Sequence, residues 1–151
     1  MFLGQYRHNI DDKGRLTIPA RFRELLADGG FVTQGFERNL MVLATADFET
    51  IAKHLNRTSI TDPTNRELKR LLFSTADKLE PDKSGRILLP QFLREFAGLE
   101  GEVVLVGVGD HFEIWPPDAW ENQINRLKDT EANAQRFMGL DISADRSDEP
   151  A

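Results

Sequence analysis

The chain has 151 residues, 40% of them hydrophobic and 29% charged, which suits one compact domain with a substantial core. It contains no cysteine, so disulfides, thiol nucleophiles and thiolate zinc sites are excluded. Its longest nearly unbroken apolar run, residues 103–108, falls far short of the ~20 residues of a membrane-spanning helix. The opening Met1-Phe2-Leu3-Gly4 lacks the basic and then apolar pattern of a secretory signal, and a cytoplasmic protein is expected.

The formal net charge of -6 argues against a generally basic nucleic-acid binder, but the charge is unevenly spread. Asp141, Asp145, Asp148 and Glu149 against Arg146 place half of it in an acidic, apolar-poor tail over 141–151, expected to be disordered. Residues 1–23 carry Arg7, Lys13, Arg15, Arg21 and Arg23 against Asp11 and Asp12; residues 78–94 carry Lys78, Lys83, Arg86 and Arg94 against Glu80 and Asp82. Positive charge is therefore concentrated in two places.

In chain order, a strand over 5–10, a polar turn with Gly14 and a strand over 15–18 have the layout of a β-hairpin. Pro19 suits the first turn of a helix with an apolar stripe at Phe22, Leu25 and Leu26, which Gly29-Gly30 stops. A second hairpin over 31–34 and 40–43 leads to a helix with Phe48, Ile51, Ala52 and Leu55 on one face. Residues 56–62 read as a joint, and Asp62-Pro63 as N-cap and first residue of a helix containing Leu68, Leu71 and Leu72. The same order then recurs: a strand over 76–79, a turn with Gly85, a strand ending before Pro90, and a helix with Phe92, Leu93 and Phe96, stopped by Gly98. A hairpin over 102–106 and 112–115 and a helix with Trp120, Ile124 and Leu127 follow. Asp118 and Glu121 have capping-box spacing, and a weaker helix is expected over 131–138.

The recurrence extends to residue identity. Asp11-Asp12-Lys13-Gly14-Arg15-Leu16-Thr17-Ile18-Pro19 aligns with Asp82-Lys83-Ser84-Gly85-Arg86-Ile87-Leu88-Leu89-Pro90 at an offset of 71, and six of fourteen positions over 11–24 and 82–95 are identical. Such register over a stretch this short indicates an internal repeat, giving halves over 1–74 and 75–140. A half with four short strands would expose unpaired edges, whereas two halves can pair edges about a pseudo-twofold axis. The expected fold is α+β: one intertwined β-barrel from two similar halves, decorated by helices.

Taken once, Asp-x-x-Gly-Arg is weak, because Asp and Gly are ordinary turn residues. Its duplication is informative, since no turn requires Arg after Gly in both halves with Lys13 and Lys83 nearby. Arg15 and Arg86 would project from neighbouring turns, where a guanidinium can donate two hydrogen bonds to guanine O6 and N7 in a major groove. Lys13 and Lys83 would suit phosphates. Asp11, Gly14, Asp82 and Gly85 would shape the turns and orient the arginines. A rival reading is an oligomeric interaction module whose basic turns bind an acidic protein. Enzymatic chemistry is not expected: His8, His54 and His111 are scattered without metal-ligand spacing, and no nucleophile elbow or phosphate loop is found. No cofactor or metal is expected. Trp115 and Trp120 read as core or subunit contacts, with Trp120 and Ile124 candidates for the latter.

Residues 1–23, the Asp82-to-Pro90 stretch, Glu102-Val103-Val104-Leu105-Val106-Gly107 and Phe112-Glu113-Ile114-Trp115 closely resemble the MraZ family, over residues 1 to about 138. The resemblance implies two AbrB-like swapped-hairpin units and a DNA-binding Asp-x-x-x-Arg motif in each, intact here as Asp11 with Arg15 and Asp82 with Arg86. It further implies a homo-oligomer closed into a ring, on double-stranded DNA carrying short G-rich direct repeats upstream of the division and cell-wall gene cluster, hence association with the nucleoid. Leu43-Ala44-Thr45 departs from the aromatic-Pro pattern that Trp115-Pro116 keeps.

Overall fold

The computed structural model describes residues 1–142. From residue 143 on, the tail expected to be disordered lies outside the described residues. Residues Met1–Trp120 form one compact unit, and the described residues from Glu121 on belong to a second.

Among the described residues eight strands and six helices follow one another in the order the repeat predicts. In order they are β1 (Gln5–Asn9), β2 (Arg15–Thr17), α1 (Ala20–Leu25), β3 (Gly30–Gln34), β4 (Leu40–Ala44), α2 (Thr45–Asn56) and α3 (Pro63–Thr75). Then follow β5 (Asp77–Leu79), β6 (Arg86–Leu88), α4 (Gln91–Ala97), β7 (Glu102–Gly107), β8 (His111–Trp115), α5 (Pro117–Leu127) and α6 (Thr130–Arg136). The second hairpin of each half forms as expected, β3 with β4 and β7 with β8.

The first hairpin of each half does not. β1 pairs with β7, β5 with β3, and β2 with β6, all antiparallel. Between β1 and β2 only an isolated bridge, Ile10 to Leu16, remains. The ladders form a six-stranded sheet ordered β1-β7-β8-β4-β3-β5 and a separate β2-β6 ribbon.

Among the described residues no ladder closes the larger sheet, because β1 and β5 stand at its two edges; the expected intertwining of the halves is seen, and a closed barrel is not. The reason is local. β2 and β6 have three residues each, and Leu16, paired with Ile87, meets the β1 side only through its isolated bridge to Ile10.

The arrangement is nevertheless symmetric in the two halves. Exchanging β1 with β5, β3 with β7 and β4 with β8 reverses the strand order and leaves it unchanged. The central register agrees, Leu40 facing Ile114 as Val42 faces Phe112. So does the ribbon, where Arg15 faces Leu88 as Thr17 faces Arg86. Four of the six ladders join residues from opposite sides of the α2–α3 joint or of the α3–β5 junction, so the halves share one core.

That core contains Leu16, Ile18, Phe22 and Leu40 with Ile87, Leu89, Leu93 and Phe112, all essentially inaccessible. β7, buried at four consecutive positions from Val103 to Val106, is covered on both faces, which explains its unbroken apolar run. Over the β3 side, Phe31 stacks on Phe48 of α2 at 4.3 Å and Phe48 meets Phe73 of α3 edge-on at 6.3 Å.

Several helix details differ from the expectation. Pro19 and Pro90 are N-caps, one residue before the helices they were expected to begin. In α4 the buried side chains are Leu93 and Ala97, while Phe92 and Phe96 are exposed. Asp62 caps α3 through its side chain to the Thr64 N–H, with Pro63 first in the helix as predicted. α5 starts at Pro117, placing Asp118 inside the first turn and not at the cap, where it faces Arg38 at 3.8 Å. Gly98 ends α4 with φ +67°, but α1 already ends at Leu25, ahead of Gly29.

Candidate nucleic-acid interface

Alternation along the β2-β6 ribbon settles which residues are presented. Leu16 and Ile87 face each other and are buried in the core. Arg15, Thr17, Arg86 and Leu88 therefore share the opposite face, with Thr17 and Leu88 exposed. Arg15 lies diagonally across the ribbon from Arg86, a relation that spaces Cα atoms on the order of 7–8 Å. The structure thus brings the two repeated motifs together at one surface.

Each motif is a closed turn built on its aspartate. The Asp11 carboxylate accepts from the backbone N–H of Lys13 at 2.9 Å and of Arg15 at 2.8 Å through Oδ1, and from Arg15 Nε at 2.7 Å through Oδ2. Asp82 repeats this with Ser84 N, Arg86 N and Arg86 Nε, each at 2.9 Å. One backbone bond completes each turn, from Asp11 N to Arg15 O at 2.9 Å and from Asp82 N to Arg86 O at 2.8 Å. Gly14 at φ +83° and Gly85 at φ +76° supply the left-handed residue that lets the chain return within so few residues.

This geometry selects the arginine edge that can meet a ligand. Nε of each guanidinium is held by its own aspartate, which leaves the terminal Nη pair as a two-donor fork. Lys13 and Lys83 are exposed, and among the described residues their ammonium groups have no ion-pair partner. Backbone N–H bonds from Arg15 and Arg86, then their side chains, then Lys13 and Ser84, hold the Asp11 and Asp82 carboxyls below the ordinary value of 3.8.

A depressed carboxylate contributes stability above its unfolded value and loses it as pH falls through the lower folded one. Both turns should therefore stay intact down to pH 3.8 and open only below it. Carboxyl NMR titration checks this, and Arg15→Ala should bring the Asp11 midpoint back toward 3.8 while leaving Asp82 unmoved.

Two further arginines stand at these turns, and the sequence reading does not single them out. A Cβ placed on Gly14 would lie 2.9–3.0 Å from Cζ, Nε and Nη2 of Arg94, and one on Gly85 would lie 2.3 Å from Nη1 of Arg23. Arg23 and Arg94 occupy matching positions of the repeat, and that identity is the signal by which they could be found. The histidines lie elsewhere: His111 is raised by bonding to Glu113 and then Asp110, and burial lowers His8.

The tryptophans are internal. Trp115 and Trp120 are buried, their rings 5.6 Å apart, and Trp120 donates to Gln5 at 3.1 Å. Of the two readings, core or subunit contact, both rings take the first. Among the described residues no helix is long and apolar enough to cross a membrane, and no cluster of His or carboxylates could hold a metal ion.

The family model for the MraZ protein, described as antitoxin-like, matches residues 1–71 and again 72–140. This chain belongs to the MraZ family. The double match follows the repeat seen in the sequence and in the strand order. A relative from Roseiflexus castenholzii is 47% identical over 137 residues, 91% of this chain and 94% of the relative. One from Thermomicrobium roseum is 46% identical over 127 residues, covering 84% and 89%, and one from Dictyoglomus thermophilum is 45% identical over 121 residues, covering 80% and 83%. All three are named transcriptional regulator MraZ, a family of regulators and not of enzymes.

Proposed function

We propose that this chain is a sequence-specific double-stranded-DNA-binding transcriptional regulator of the cytoplasm and nucleoid. Its halves, residues 1–74 and 75–140, contribute one reading turn each. Arg15 and Arg86 donate in pairs to guanine edges in a major groove. Lys13 and Lys83 neutralise flanking phosphates, and Asp11 with Gly14 and Asp82 with Gly85 hold the arginines in place. The observation that carries this reading is the pairing of β2 with β6, which sets two Asp-held, fork-presenting arginines on one exposed face.

The targets we propose are short G-rich direct repeats in the promoter of the division and cell-wall gene cluster, bound by a homo-oligomer closed into a ring. The symmetric pairing of the halves is satisfied inside one chain. Contacts between chains are then free to be head-to-tail, presenting the same face with the same polarity at each repeat.

Selection of bound fragments from random duplex DNA tests the reading, followed by binding to one, two and three copies of the selected repeat. Arg15→Ala and Arg86→Ala should each weaken the selected duplex by about 1 to 3 kcal/mol and relax base preference, leaving folding unchanged. Lys13→Ala should weaken selected and scrambled duplexes alike. Equal binding of scrambled and selected DNA by the parent chain would instead favour the acidic-protein reading of the turns.

A further inference from the structure

We infer that Arg23 and Arg94 are positioning residues of the reading face, each supplied by one half of the chain to the turn of the other. The inference rests on the proposed DNA-reading role of those turns. Arg23 lies in α1, yet the glycine it covers is Gly85; Arg94 lies in α4 and covers Gly14.

The crossing follows from the ribbon. Because β2 and β6 run antiparallel, the end of each strand meets the turn that begins the other: Ile18 N donates to Gly85 O at 3.0 Å, and Leu89 N to Gly14 O at 2.9 Å. The helix that follows Pro19 therefore starts beside the second turn, and the helix that follows Pro90 beside the first.

The way the guanidinium sits is informative. The Cβ position on Gly14 is nearly equidistant from Cζ, Nε and Nη2 of Arg94, at 2.9, 3.0 and 3.0 Å. Such distances place the glycine over the plane of the guanidinium and not at its edge. The edge is left free to bond, and Arg94 Nε donates to Leu89 O at 3.0 Å, the residue whose N–H holds the Gly14 carbonyl. Arg94, Leu89 and Gly14 thus form a short chain of contacts that supports the turn from outside.

On the other side, Arg23 has its Nε buried without a hydrogen-bond partner. A desolvated, unmet donor on a charged group is destabilising, so packing alone does not account for an arginine there. The side chain is instead set against the second turn, where a Cβ on Gly85 would lie 2.3 Å from Nη1, 2.6 Å from Cδ and 2.7 Å from Cζ of Arg23. Glycine is then required at both turns twice over, by its positive φ and by the arginine side chain that occupies the space a Cβ would need. Each seat fixes the backbone N–H groups that orient Asp11 or Asp82, and through them the Nη fork of Arg15 or Arg86. The two reading arginines are coupled through the opposite halves' helices.

The test uses the full-length chain with Arg23 or Arg94 changed to Ala or Lys, beside Arg15→Ala and Arg86→Ala, and duplex DNA obtained by selection. Hydrogen exchange reads the amides of Lys13, Arg15, Ser84 and Arg86, all bonded to the turn aspartates. Arg94→Ala should speed exchange at Lys13 and Arg15 by about tenfold and spare Ser84 and Arg86; Arg23→Ala should do the reverse.

In binding, Arg94→Ala should relax the base positions that Arg15→Ala relaxes, at an unchanged salt slope, because no phosphate contact is lost. Lysine should not rescue either effect, since an ammonium lacks the planar guanidinium atoms that meet each glycine. If an alanine variant fails to fold, the lysine variant carries the same readouts.

Loosening of both turns alike, loosening of the variant's own half, or full rescue by lysine overturns the inference. Should Arg15→Ala and Arg86→Ala leave DNA binding unchanged, the DNA-reading role falls instead, and the exchange pattern still decides whether the seats cross between halves.

Discussion

Residues 1–74 expressed alone should give no monomer with cooperative unfolding. Among the described residues the one ladder of β1 is with β7 and the one ladder of β2 is with β6, and both partners lie beyond residue 74. β4 loses β8 and β3 loses β5 as well, so the fragment keeps a single ladder, the β3–β4 hairpin. An isolated two-stranded hairpin is marginal in water. Leu16 and Phe22, inaccessible in the whole chain, would be uncovered where Ile87 and Phe112 had met them. The fragment should be unfolded by circular dichroism or, because the halves resemble each other, should self-associate so that a second copy supplies the missing strands. Sedimentation with chemical denaturation distinguishes these outcomes. A compact monomer with a sharp transition would show that the first half folds without its partner strands, contrary to the ladders.

The elements are legible in the sequence because their signals are local. Asp11 with Gly14 and Asp82 with Gly85 announce turns, Asp62-Pro63 announces a helix start, and the apolar strands either side of Gly35 and Gly109 announce hairpins. The repeat adds more, since matching positions in two halves imply matching surroundings, and it is the repeat that makes the paired Asp-Arg turns visible. Strand partners are less legible. β2 and β6 are three residues long, and nothing within Arg15-Leu16-Thr17 says whether Leu16 will face β1 or Ile87; that choice is made by the shared core on the far side of the ribbon.

The same limit hides Arg23 and Arg94. They are visible as identical positions, but their role depends on which turn lies beside each helix, and that follows only from the antiparallel ribbon. In α4, helical spacing allows Phe92 and Phe96 to face inward. The ribbon's placement turns Leu93 and Ala97 to the core instead, overriding the larger hydrophobes.

Phe22→Ala should destabilise the fold far more than any substitution at the Asp11–Arg15 or Asp82–Arg86 turns, by about 3 to 5 kcal/mol. Phe22 is 1% exposed and is the centre of an aromatic cluster, 5.1 Å from Phe2, 5.3 Å from Tyr6 and 4.7 Å from Phe112 between ring centroids. Those partners come from the N-terminal segment, β1 and β8, held by different ladders, so no single movement can close the space the ring would leave. Against a typical total of about 5 to 15 kcal/mol, the loss should lower the melting temperature on the order of 10 °C. Phe92→Ala, made at the position before Phe22's repeat counterpart Leu93, removes a ring that is 51% exposed, and surface changes of that kind usually stay within about 0.5 kcal/mol. Calorimetry of the two variants side by side separates the readings. Comparable losses would mean that α1 and α4 bury different faces from those described, and the seats of Arg23 and Arg94, carried on the same helices, would have to be redrawn with them.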